Sequence, residues 1–142
     1  MRKIKYSWLS LLVTFALSQS AFAQTIDKPE ACPSIDAIKA IGVNDAGDSM
    51  LGWLAHNINH YNTKDKWLFG TLVSATNKED AIKEGNENIK QFSGVEGPEK
   101  IPDNTDNTWA CIYTSSDPNI FGLTITPVPP NNWIAQFSRF KK

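Results

Sequence analysis

Between Lys66 and Ala75 the chain reads KWLFGTLVSA, which puts Trp67, Phe69, Thr71 and Val73 on one face of an extended strand and Leu68 and Leu72 on the other. Period-two alternation with apolar residues on both sides predicts a strand covered on both faces. The preceding run, LGWLAHNINHYN, predicts a partner strand, joined through the polar turn NTKD into a hairpin with Trp53 and Tyr61 on one face. Further on, TWACIYTS, NIFGLTITPV and NNWIAQFSRF predict three more strands. The turn SDPN links the first two, and PVPPNN, whose prolines stop ladder pairing, links the last two.

Helical spacing occurs twice. In CPSIDAIKAIG, Ile35, Ile38 and Ile41 recur at three-residue steps, Ser34 can cap the start, and Gly42 offers a left-handed stop. In TNKEDAIKEGNENIKQFSG, Asn77 can cap a longer helix running towards Gly94, with Glu79 and Asp80 at its positive end and Lys90 near its negative end. Ile82, Gly85, Ile89 and Phe92 form its apolar stripe. Glycine costs about 1 kcal/mol of helix propensity relative to alanine, so Gly85 on that stripe predicts close approach to a sheet. The stretch VNDAGDS reads as a polar connection, and GVEGPEKIPDNTDN, residues 94–107, as a long loop. Its Asp103, Thr105 and Asn107 alternate like calcium ligands, but Thr108 stands where a calcium loop needs glycine and no closing glutamate follows. These elements predict an α+β domain: an antiparallel sheet of about five strands, one long helix packed on a face, a short N-terminal helix and one disulfide.

The ends change the picture. Residues 1–23 combine a basic start (Arg2, Lys3, Lys5), an apolar run from Trp8 to Leu17 and the small-residue pair Ala21 and Ala23, the layout of a cleaved secretory signal. Residues 24–142 are then expected to form a single exported domain, periplasmic or secreted, without membrane attachment. Removing residues 1–23 takes away three of 14 basic residues and none of the 15 acidic ones, leaving a net charge of about −4. A chain so charged has no general attraction for nucleic acid. Cys32 and Cys111, two cysteines in a chain routed to an oxidising compartment, are expected to form a disulfide.

Candidate chemistry is sparse. His56 and His60 lie four apart in a stretch that reads as strand, where such positions are about 13 Å apart, too far to share one metal ion. No metal site is therefore expected. A haem iron needs only one strong axial ligand, so His56, His60 or Tyr61 is a candidate beside the tryptophan-rich strands. Trp53, Trp67, Trp109 and Trp133 are expected to be mostly core, with one or two available to line a flat apolar cleft. No nucleophile elbow, zinc-protease helix or phosphate loop occurs, and a non-enzymatic protein is expected.

CPSIDAIKAIG, YNTKDKWLF and WACIY with its cysteine together resemble a small family of exported, single-domain proteins of unknown function from intracellular gammaproteobacteria, one of which is called a haemin-binding protein. The resemblance implies an exported bacterial protein with a haem-related role. Any haem would be held noncovalently, because the C-x-x-C-H attachment is absent. The leading expectation is a binding protein for haemin. The alternative is a secreted protein-interaction module, an inhibitor or host-facing effector, acting through residues 94–107.

Overall fold

In the computed structural model, which describes residues 27–102 and 107–129, the first helix begins where Ser34 caps it. The Ser34 hydroxyl accepts from the Ala37 N–H at 3.1 Å, and Gly42, at φ 70°, turns its N–H back onto the Ile38 carbonyl. Helix α1 is Ile35–Ile41, with Asp36 in its first turn and Lys39 in its last, each complementing the helix dipole.

Strand β1, Asp45–Ser49, and strand β2, Gly52–Asn59, form a hairpin. The segment expected as a polar connection is therefore largely an edge strand. Its Asp, Gly and Ser residues are poor strand formers. The ladder to β2 and the burial of Ala46 hold it in place, so pairing overrides local preference. Strand β3, Trp67–Val73, pairs with β2 in the expected hairpin, with Trp53 opposite Val73 and Asn59 opposite Trp67.

Helix α2, Lys78–Lys90, starts where the Asn77 side chain accepts from the Asp80 N–H at 2.9 Å. It has 13 residues and stops short of Gly94, because Phe92 already pairs with Ser115. Gly85 does lie against the sheet: a Cβ there would come within 2.5 Å of the Ala55 Cβ.

Strands β4, Phe92–Lys100, β5, Trp109–Ser115, and β6, Phe121–Thr126, complete the sheet. The first half of the segment expected as a long loop, 94–107, is thus strand. Its glycines and proline read as breakers, but two register shifts in the β4–β5 ladder absorb them. Gly97, at φ 116°, lies where a Cβ would meet the Ala110 carbonyl at 2.7 Å.

The strand order is β1-β2-β3-β6-β5-β4, antiparallel throughout. The expected α+β layout of about five strands with one long helix is accordingly corrected. Among the described residues the protein is mostly sheet, with six strands and two short helices of 7 and 13 residues. The strand expected in NNWIAQFSRF lies outside the described residues.

Each half of the domain is a helix followed by a three-stranded meander, and the halves meet where β3 pairs with β6. The helices are exchanged: α2, from the second half, packs on β1, β2 and β3, while α1, from the first, packs against β4. The expected disulfide, Cys32–Cys111, ties the stretch before α1 to β5 with the two Cα atoms 5.9 Å apart.

The main core lies between the sheet and both helices. Tyr61, Phe69, Phe92 and Tyr113 meet there, edge-to-face except for the stacked Phe92–Tyr113 pair, alongside Trp67, Ile38 and Ile89. On the opposite face Leu54, Leu68, Ala110, Leu123 and Ile125 form a second apolar cluster.

Candidate functional site

Strand register builds the helix-free face. Asp45, His56, Gly70, Leu123, Ile112 and Glu96 are successive cross-strand neighbours, so they form one line across the sheet. A parallel line runs through Ile58, Leu68, Ile125, Ala110 and Glu99. The first line is apolar in the middle and polar at both ends, while the second is apolar except at Glu99. Because Gly70 has no side chain, the floor dips beside His56. There Leu54, Leu72, Ile112, Phe121 and Leu123 bound a cleft of about 110 Å³. A second cleft of about 180 Å³ adjoins it, sharing Ile112 and Leu123 and reaching Glu96, Glu99 and Ile101.

His56 stands at the margin of this floor with its side chain 12% exposed. Its Nε2 lies 3.9 Å from an Asp45 carboxylate oxygen, whose other oxygen receives Lys78 Nζ at 2.6 Å. Burial holds the imidazole below its usual pKa; Asp45 opposes that shift and Lys78 adds to it. The hydrogen bond from Lys78 is the main reason the Asp45 carboxyl is held below its ordinary range, although burial partly opposes it. His56 is therefore biased towards the neutral imidazole, the form that ligates metals.

The three residues singled out for haem do not converge. His56 faces the helix-free side. His60 is exposed just beyond the end of β2, where its carbonyl accepts from the Thr63 N–H and hydroxyl. Tyr61 alternates with Trp53 towards the main core and is 1% exposed. Its phenol donates to the Asn57 carbonyl at 3.4 Å, and burial is the main cause raising its pKa well above the usual value. The strand reading of the histidine stretch holds for His56, and no group of three metal-ligating side chains occurs among the described residues.

The described tryptophans do not line the clefts. Trp67 is fully buried and Trp53 packs on the helix-side core, while Trp109 projects to the same side of β5 as Cys111 and carries Lys28 Nζ 5.8 Å from its ring centre. Leucines, Ile112 and Phe121 line the smaller cleft instead, and Glu96 and Glu99 join Ile101, Ile112 and Leu123 at the larger. Leu68 and Leu72, read as the second face of β3, were the visible sign of this surface. The contributions of Gly70, Asp45 and Lys78 depend on pairing and packing that no local pattern encodes. Asp103 and Thr105 of the calcium-like run lie outside the described residues.

The fold and face define a small disulfide-tied sheet domain with both helices on one side and an apolar floor on the other. The chain belongs to the family described as Domain of unknown function (DUF4949), which matches residues 31–129. No match was found among curated proteins or among solved structures.

Proposed function

We propose that the protein is an exported, non-enzymatic binding module that holds a planar apolar ligand, haemin, noncovalently on the helix-free face of its sheet, with His56 as the axial ligand. The observation that carries this reading is His56 opposite Gly70, which puts an imidazole biased to its neutral form beside an apolar cleft. The two clefts together are small for an enclosed ligand pocket. The ligand would therefore be held at these open clefts and not enclosed, and His56 would supply the nitrogen for its iron. His60 and Tyr61 have no part in this arrangement, Tyr61 because its phenol is committed to the core. The disulfide and the apolar, basic-led start of the sequence support export.

Haemin titration of the purified protein, followed at the Soret band, tests the reading. Saturable binding whose spectrum is lost in His56→Ala and kept in His60→Ala and Tyr61→Phe is expected. Absence of saturation, or a spectrum indifferent to His56, would remove the site.

The alternative of protein contact through residues 94–107 now concerns the β4 edge, where Val95 is exposed. Pro98 and the two register shifts on that strand deter pairing with another chain and count against it.

A further inference from the structure

Aspartate is a poor strand former, yet Asp45 opens β1 directly opposite His56 in the ladder. Its carboxylate is oriented by donors from two elements. Oδ1 accepts the backbone N–H of Ala46 at 2.9 Å and the ammonium of Lys78 at 2.6 Å. Lys78 is the first residue of α2, which packs on β1, so the helix start brings that ammonium to the edge strand. The other oxygen, Oδ2, lies 3.9 Å from His56 Nε2. That separation is too long for a hydrogen bond, so the carboxylate acts on the ring through its charge.

Unit charges about 4 Å apart interact by several times the thermal energy at the effective dielectric of a protein site. A carboxylate beside a ligating imidazole strengthens the ring as a ligand, and the surroundings of the axial ligand tune the balance between the two oxidation states of a haem iron. Ferric iron carries one more positive charge than ferrous, so a negative neighbour favours the ferric state. An ammonium at the same place acts in the opposite sense. Both arguments hold whichever ring nitrogen meets the iron.

We infer that Asp45 is a positioning residue for His56: its carboxylate, oriented by Ala46 and Lys78, favours the ferric state of an iron bound at His56, and Lys78 limits how strongly. This inference rests on the haemin reading above and adds to it which neighbours tune the iron.

The test uses the full chain loaded with haemin, and the ferric–ferrous midpoint is followed at the Soret band. Dithionite supplies the one electron that the ferric iron takes up. Asp45→Asn keeps an oxygen for the Ala46 N–H and removes the charge. It should weaken ferric binding relative to ferrous about tenfold, which for a one-electron couple raises the midpoint by about 59 mV. Lys78→Met should lower the midpoint. Opposite shifts separate charge from packing, because a loosened site would move both variants alike. Added salt should shrink both shifts, since Asp45 and Lys78 are partly exposed. Midpoints unchanged in both variants, or shifted in the same direction in both, would overturn the inference while leaving His56 as the ligand. A parent protein with no saturable Soret change, or with one indifferent to His56→Ala, would instead remove the haemin reading and this inference with it.

Discussion

Gly85 of α2 lies so close to Ala55 of β2 that a Cβ added to the glycine would come within 2.5 Å of the alanine's Cβ and 3.0 Å of Val43 Cγ2. Neither neighbour is the far end of a flexible side chain, so helix and sheet would have to part. In a solvent-facing helix, Gly85→Ala would gain about 1 kcal/mol. Here overpacking, about 1–3 kcal/mol, should outweigh that gain and leave the domain destabilised by up to about 2 kcal/mol. Denaturant midpoints check it, and a stabilised variant would show that the helix is not seated on β2. Ala55→Gly should recover part of the loss when combined with Gly85→Ala, a coupling that a double-mutant cycle reads directly.

Tyr113 closes the other half of the domain by donating its hydroxyl to the Pro33 carbonyl at 2.6 Å, next to the disulfide at Cys32. Tyr113→Phe leaves that carbonyl without this donor and should cost about 1–2 kcal/mol while leaving the fold intact. Equilibrium unfolding measures the loss, and a neutral variant would mean that water replaces the phenol.

The disulfide spans 79 positions and joins the stretch before α1 to β5, so it holds together the exchanged halves of the domain. Cys32→Ser combined with Cys111→Ser should lower stability by up to about 4–5 kcal/mol in the chain-entropy account. The comparison to make is the unfolding midpoint of oxidised protein against that of the double variant. Equal midpoints would show that the exchanged helix needs no covalent tie.

His56 should leave a mark on the pH dependence of folding. Its folded pKa lies below the unfolded value of about 6.5, so the unfolded chain binds the proton more readily. The stabilising contribution is therefore complete above pH ~6.5 and is lost as pH falls from there through the lower folded pKa. Asp45, whose pKa is also lowered, contributes separately, above its ordinary carboxylate range and down through its folded pKa. Unfolding midpoints between pH 7.5 and 5 should fall less steeply in His56→Gln than in the parent. Parallel curves would contradict the burial assigned to this imidazole.

The capped starts of both helices, the β2–β3 hairpin, β5, β6 and the sheet contact of Gly85 were legible because each depends on a local signal. Examples are the caps Ser34 and Asn77, the alternation from Trp67 to Val73, and a glycine within an apolar stripe. Strands β1 and β4 were not. Both are edge strands whose Asp, Gly, Ser and Pro residues prefer turns, and they become strands through neighbours that are remote in sequence or already paired. At the candidate site the extended character of the histidine stretch could be read. The juxtaposition of His56 with Gly70 could not, since it needs the register of two strands. Tyr61 carried its own warning, because alternation with Trp53 already pointed it towards the core.

The binding surface proposed for haemin is the helix-free face beside His56. Methyl-resolved NMR during haemin titration tests it most directly, because the ferric iron broadens nearby resonances. The account predicts broadening of the Leu54, Leu72, Leu123 and Ile112 methyls, with Ile38 and Ile89 on the helix side staying sharp. Broadening centred on Ile38 and Ile89, or no selective broadening at saturation, would contradict it.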